Sequence, residues 1–347
     1  MEARPTLSTG SHARPGPAKV VFLRAARILL MQEDVLLGGQ AVLEGVMMRS
    51  PHAMAVAVRR PDGDIVVFRQ KILSLADMHP VLRWPVVRGA VVMIQSLVLG
   101  FRSLNFSAEA AFETVVDAPG AADETKAGGA AAKGGSWAIA GSLVVALALG
   151  FGLFFLLPLA LTQAARLWIP ALSNGLAFNL VDGVFRISIF LGYILGISML
   201  RDIRRVFEYH GAEHKTVHAH EAGVPLTVDN VRVRSRLHPR CGTSFLLVVM
   251  VVSILAFSFL PADKPFYVMI FPRLAMIPII AGLSYEAIRF SARHARNVLC
   301  RALIQPGLWL QKLTTQEPSD DQIAIGIRAL EEALVLEGRG GAEVVPA

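Results

Sequence analysis

Four stretches of this chain stay apolar long enough to cross a lipid bilayer. Residues 137–161 are almost wholly apolar, residues 175–200 nearly so, and residues 243–260 and 266–285 form a close pair interrupted mainly by Pro261 to Pro265. Each, as a helix rising 1.5 Å per residue, is long enough for a hydrocarbon core roughly 30 Å thick. Four transmembrane helices are expected. A fifth apolar stretch, Trp84 to Phe101, is shorter and carries Arg88 and Gln95, which predicts a helix on the membrane surface or half inserted in it.

The period changes elsewhere. Ala53 to Arg60 and Ile65 to Lys71 read as strands on either side of Pro61-Asp62-Gly63-Asp64, a strong turn signal, so a β-hairpin is expected. Before it, residues 38–51 carry Gly38, Gly39 and Gly45, which suggests a tight backbone path rather than an ordinary strand. Val20 to Met31 is amphipathic with Arg24 and Arg27, and residues 117–136 turn to Ala, Gly, Lys, Asp and Glu without periodic apolar positions. Near the C-terminus, Ser319 and Gln322 make a capping-box pair before Ile323, Ile327, Leu330 and Leu334 at helical spacing.

The pattern predicts an α-helical integral membrane protein with about four transmembrane helices plus a small α+β cytoplasmic domain containing a β-hairpin. Its order is a disordered lead and surface helix (1–35), a glycine-rich and β-hairpin unit with a membrane-surface helix (36–116) and a flexible linker (117–136). Transmembrane helices 1 and 2 (137–200), a cytoplasmic histidine-rich loop (201–242), transmembrane helices 3 and 4 (243–288) and a cytoplasmic helical tail (289–347) follow.

Composition agrees, since 54% of the residues are hydrophobic. Of the 34 Lys and Arg, fifteen fall in the first 136 residues, eight in 201–243 and seven after Tyr285. Positive residues stay on the cytoplasmic side, so an inner-membrane protein with both termini and the central loop in the cytoplasm is expected. The net charge of +7 then reflects topology and anionic lipid headgroups, and no nucleic-acid partner is expected. Residues 1–18 lack the apolar core of a cleavable signal. With only Cys241 and Cys300, both on a reducing side, no structural disulfide is expected.

The candidate chemistry lies in EYHGAEHK, where His210, Glu213 and His214 spell HxxEH. On a helix the two histidines stand one turn apart on one face, half of a tetrahedral zinc site. Glu286, in SYEAIRF, supplies the remote third ligand of an inverted zinc-hydrolase arrangement, and Glu213 is left to handle protons. His218, His238, Cys241 and Glu44 rank second as ligands or as groups orienting them. For Cys241 the alternative is a small packed residue, and for Glu44 it is an arginine or backbone amides as partner. Arg236 and Arg240 are candidates to hold an anion, or else reflect the positive-inside bias. Asp182 with Arg186, and Arg273, are charges within spans that need partners in the bundle.

GGQAVLEGVMMRSP, VAVRRPDGDIVV, EYHGAEHKTVHAHE, SRLHPRCGTSF, SYEAIRF and PGLWLQKLTTQEPSDD, in this order, resemble the YqhQ-like bacterial membrane proteins. The similarity covers roughly residues 36–335 apart from the linker. It implies a multi-pass membrane protein and, by a label the family sometimes carries, a metal-dependent enzyme. The family's histidine motif falls on His210, Glu213 and His214, its HPRCGTSF motif on His238 to Phe245, and its tyrosine–glutamate pair on Tyr285 and Glu286. Gln316 departs from the family's usual arginine. Two functions are therefore expected in order: a zinc-dependent (or other divalent-metal) membrane hydrolase acting on a peptide or lipid-linked substrate, or a non-enzymatic assembly factor or scaffold with a structural metal and histidine cluster. The oligomeric state is left open.

Overall fold

The computed structural model describes residues 37–73, 79–112, 141, 144–239, 241–261, 264–293 and 297–338, all in the compact unit that starts at Leu37. The lead at 1–35, the linker at 117–136, Arg240 and the Cys300 side chain lie outside the described residues.

The chain is mostly helical, with a small antiparallel sheet near its start. Strands β1 (Gly38–Val42), β2 (Gly45–Arg49), β3 (Ala53–Arg59) and β4 (Ile65–Lys71) pair in sequence order. The expected hairpin is β3–β4, with Ala53 opposite Lys71 and Arg59 opposite Ile65. Its turn is held by Asp64 N–H donating to Asp62 Oδ1 at 3.0 Å and by Gly63 at φ +98°, a conformation only glycine adopts freely. The glycine-rich segment forms a second hairpin, β1–β2, closed by Leu43 and Glu44. Here the sequence reading missed two strands, because glycine lowers strand propensity without forbidding it. Gly39 has a different reason to be glycine. A Cβ there would stand 2.5 Å from the Met47 carbonyl oxygen and 2.7 Å from Glu213 Cγ, so its hydrogen lets a helix close on the strand.

Strand β3 is buried on both faces. Met54, Val56 and Val58 pack in one core with Leu99, Phe106 and Ala110 of helix α1 (Val87–Phe112). The alternate positions Ala53, Ala55 and Ala57, also fully buried, face the other way and leave room for the C-terminal helix α9 (Asp320–Leu336), which packs on β2 and β3. Helix α9 starts at the predicted capping box, Ser319 with Gln322, and buries Ile323, Ile327 and Leu330.

Among the described residues, four helices are long and apolar enough to cross a membrane: α1, α2 (Val144–Arg166), α3 (Gly175–Ser198) and α7 (Phe266–Arg293). The chain is a membrane protein with this helical body and a small sheet. Two expectations change. Most of Trp84 to Phe101 belongs to a continuous 26-residue helix, α1, that starts at Val87 and runs on to Phe112, rather than to a short element. Its apolar pattern continues past Arg102 because Leu104, Phe106 and Ala110 keep the helical period. Helix α6 (Gly242–Phe257), expected as the third span, has 16 residues and covers only about 24 Å at 1.5 Å per residue.

Helix α1 joins the two parts of the fold. At its start, Gly89 meets α7 so closely that a Cβ would stand 2.8 Å from Gly282 Cα. Further along, Arg49 Nη1 donates to Ser96 Oγ at 2.9 Å and Gln40 Nε2 to the Gly100 carbonyl at 3.2 Å, so this part lies on the sheet. Its opposite face, with Ile94, Leu97, Val98, Phe101 and Leu104, is exposed and apolar.

Among the spans, the charges find partners as expected. Arg186 Nη2 donates to Asp182 Oδ2 at 3.0 Å across one turn, and Arg273 Nη2 donates to Asn179 Oδ1 at 2.7 Å. Both guanidiniums also lie over the Phe257 ring, at 5.0 and 5.4 Å from its centre.

Candidate metal centre

The segment at 201–242, expected as a loop, is largely helix. A break at Met199 and Leu200 ends α3, and α4 (Arg201–Glu221) follows, then the short α5 (Val228–Arg232). Helical spacing puts His210, His214 and His218 in one row on α4, with Glu213 beside the first two. The side of α4 that carries them is buried against β1 and the C-terminal end of α8 (Val298–Thr314), while α9 packs on the far side, at Ala212, Thr216 and Ala219.

Each histidine of the row meets a main-chain carbonyl. His210 Nδ1 lies 2.7 Å from the Thr314 oxygen, His214 Nδ1 2.5 Å from that of Arg236, and His218 Nε2 2.9 Å from that of Leu237. A carbonyl only accepts, so each of these nitrogens carries the hydrogen, and the other ring nitrogen of the neutral imidazole keeps its lone pair. For His210 and His214 that lone pair is on Nε2. His210 Nε2 stands 3.2 Å from Cys241 Sγ, and His214 Nε2 is buried with no hydrogen-bond partner.

His210, His214 and Cys241 thus bring two nitrogens and a sulfur within 4.8 Å of one another. Cys241 is positioned by its own helix. It is the N-cap of α6, where its Sγ accepts from Thr243 N–H at 3.4 Å, and the positive end of the helix dipole faces a sulfur that would be anionic on a metal. The fit to a cation is good on the chemistry of the donors: an orphaned, buried lone pair on His214 has no better use, and backbone acceptors on the far nitrogens orient the rings as they do around bound metals. A thiolate with two imidazoles suits zinc.

Glu213 completes this group. Its Oε2 lies 3.5 Å from His214 Nε2 and 3.9 Å from His210 Nε2. Burial holds its carboxyl above the usual carboxylate range, against the pull of His210, His238 and the Gly39 N–H. Burial likewise pushes His214 below the usual imidazole range, with Cys241 opposing, and so keeps the ring neutral.

The remaining candidates go elsewhere. Glu286 is not brought to the histidines: Arg88 grips both its oxygens, Nε at 2.7 Å and Nη2 at 2.5 Å. The third donor from outside the helix is Cys241 instead, because the α6 N-terminus reaches α4 and a carboxylate with two filled acceptors has no call to. Glu44 is taken by a second fork, from Arg205, with Tyr209 Oη donating at 3.2 Å. Burial, then the Glu44 charge, pushes the Tyr209 phenol well above its usual range. Glu44 belongs to neither of the histidine clusters among the described residues. Arg236 Nη1 donates to the Thr315 carbonyl at 2.6 Å while its own carbonyl orients His214. That second role could not be read from its side chain. His218 and His238 lie in the next cluster along α4, together with Glu221.

The Arg88–Glu286 fork ties the start of α1 to α7, and its two side chains are each about a quarter exposed (26% and 25%). Glu286→Ala is expected to leave metal content unchanged and to lower the unfolding temperature in detergent. Arg88→Ala should lower it similarly, by about 1–3 kcal/mol of stability, and the double variant should be no worse than either single one. Additive losses would dismiss the pair as a unit.

Comparison with known proteins adds the family. The family described as protein of unknown function (DUF1385) matches residues 84–336, most of the chain and all of the histidine row. The chain belongs to this family. It is also 36% identical over 303 residues to "Uncharacterized protein YqhQ" of Bacillus subtilis (strain 168), which covers 86% of this chain and 92% of that one. The resemblance to YqhQ-like proteins stands on these matches. No solved structure matches. The DUF1385 match begins at the foot of α1 and so takes in both histidine clusters while leaving out the sheet, although the sheet supplies Gly39 beneath Glu213.

Proposed function

We propose that this DUF1385 protein is a metal-dependent membrane hydrolase, its site at the cytoplasmic membrane face and its substrate a peptide or a lipid-linked molecule. The observation that carries the reading is the pair of Nε2 lone pairs, set by the Thr314 and Arg236 carbonyls, converging with Cys241 Sγ beside the buried carboxylate of Glu213. His210, His214 and Cys241 would hold zinc, and another first-row divalent ion would also fit. When bound, zinc supplies Lewis acidity, polarising a carbonyl or phosphoryl oxygen and making water more acidic. The protein's own part in the chemistry falls to Glu213. A carboxyl whose proton affinity is raised by burial is suited to take a proton from a nucleophile and return it to a leaving group.

The placement follows from charge and from α1. Lys and Arg concentrate in the first 136 residues, in 201–243 and after Tyr285, which supports a cytoplasmic side for both termini and α4. With the sheet on one side of α1 and the exposed apolar stripe from Ile94 to Leu104 on the other, that stripe meets the bilayer and brings the site close to lipid.

One observation favours the second reading, a scaffold with a structural metal. Neighbouring ligands on one tetrahedral zinc, at bond lengths of about 2.0–2.3 Å, stand roughly 3.3–3.6 Å apart, and Glu213 Oε2 to His214 Nε2 is 3.5 Å. A fourth ligand at Glu213 would close the site. Metal analysis of Glu213→Gln separates the two. The hydrolase reading expects Glu213→Gln to keep the wild-type metal content, and a hydroxamate to perturb the visible spectrum of the Co²⁺-loaded protein by entering an open position. Loss of metal in Glu213→Gln, with a spectrum indifferent to hydroxamate, would establish the closed structural site instead.

A further inference from the structure

Helix α4 does not end at the first cluster. His218 is four residues after His214 and Glu221 three after His218, so both project from the side of the helix that carries His214. The loop that delivers Cys241 passes this point three residues earlier and delivers His238. Ring nitrogens of His218 and His238 and a carboxylate oxygen of Glu221 gather within 4.8 Å. His238 Nε2 stands 3.3 Å from Glu221 Oε2, and the His218 and His238 rings meet edge to face with centres 4.6 Å apart.

An ion pair would explain His238 beside Glu221, but it would not explain His218. With its Nε2–H given to the Leu237 carbonyl, a neutral His218 has Nδ1 as the one ring atom left to bind a cation. The backbone at His238 is held firmly: its main-chain N–H donates to Gln311 Oε1 at 2.8 Å, and Gln311 Nε2 donates back to the His238 main-chain carbonyl at 2.8 Å and to Ser244 Oγ at 2.8 Å. Gln311 is itself fully buried, and its amide ties the His238 backbone to Ser244 of α6. A buried clamp fixes the main chain that carries the His238 ring, and a main-chain acceptor orients the His218 ring; held side chains of this kind are what metal ligands need.

We infer that His218, Glu221 and His238 form a second divalent-cation site, next to the first along α4. The two sites share one plan: two donors from α4 and one from the loop that leads into α6. They differ in exposure and in donors. Cys241 and His214 are buried, whereas the Glu221 side chain is 30% exposed, so the second ion reaches solvent and exchanges faster. Two imidazoles and a carboxylate, without thiolate, accept zinc, manganese or ferrous iron, whereas the thiolate selects zinc at the first site. The His214 and His238 rings, 5.8 Å apart, lie between the two ions. The inference does not depend on whether the first site catalyses anything.

Titration of the full chain, purified in detergent and stripped by chelator, with Co²⁺ tests it. Wild type is expected to bind two equivalents, one of them giving a sulfur-to-cobalt charge-transfer band. His218→Gln and Glu221→Gln should each bind one equivalent with the band intact, and Cys241→Ser one equivalent without it. Saturation of wild type at one equivalent with the band, or two equivalents retained by both His218→Gln and Glu221→Gln, would overturn the second site. A single equivalent without the band, lost in Glu221→Gln, would instead sink the first site and leave the second standing.

Discussion

His214→Ala is expected to remove the metal of the first cluster and to cost more than any outer residue of the site. His214 is 1% exposed, its Nδ1–H is given to the Arg236 carbonyl, and its buried Nε2 lone pair, beside Cys241 and Glu213, makes no close hydrogen bond and is available to a cation. Loss of a residue that merely orients a ligand costs about 10–100-fold in metal affinity, and loss of a direct ligand is expected to exceed that range. Removing the ring also leaves the Arg236 carbonyl buried without its donor and opens a cavity beside Glu213, so stability falls with the metal. His214→Gln, which retains a donor for that carbonyl, should recover part of the stability and none of the tight metal binding. Equal zinc in wild type and His214→Ala, measured by elemental analysis after chelator dialysis, would refute the ligand assignment.

Gly211→Ala is the second large effect, and it acts through packing. A Cβ at Gly211 would stand 2.1 Å from the Gln316 carbonyl oxygen and 3.3 Å from Pro318 Cδ. Backbone oxygen has no rotamer to give, and the segment is pinned to α4 itself one turn earlier, where Gln316 N–H donates to the Phe207 carbonyl at 2.8 Å. Helix α4 and the 314–318 segment must therefore separate, which takes the Thr314 carbonyl away from His210 Nδ1. Overpacking of a tight contact costs typically 1–3 kcal/mol, and here about 3 kcal/mol or more is expected, with weakened metal binding as a second readout. Gly38→Ala is the control, since nothing lies within 4 Å of a Cβ there. Similar unfolding temperatures for the two variants would show that the close approach at Gly211 is not required.

Much of the fold was legible because its signals are local. The apolar blocks, the Pro61 to Asp64 turn between two β-runs and the Ser319–Gln322 cap each depend on neighbours in the chain, and each forms. Where local reading failed, a distant partner had decided the matter. Gly38 and Gly39 argued against a strand, yet β1 pairs with β2 and needs the missing side chain at Gly39 to admit Glu213. Glu44 looked like a stranded carboxylate until Arg205, 161 positions away, took both of its oxygens.

The sequence by itself determined that this is a helical membrane protein and that His210 and His214 share one face if their segment is a helix, because helix period and hydrophobicity act between near neighbours. Which third donor meets the two imidazoles was decided only in three dimensions. Glu286 and Cys241 were both remote in sequence, and the choice rests on Arg88 capturing the first and the N-terminus of α6 carrying the second to α4. The tautomers were settled there too, by carbonyls of Thr314, Arg236 and Leu237 that no side-chain motif records, since every residue has a carbonyl and only the folded path aims it.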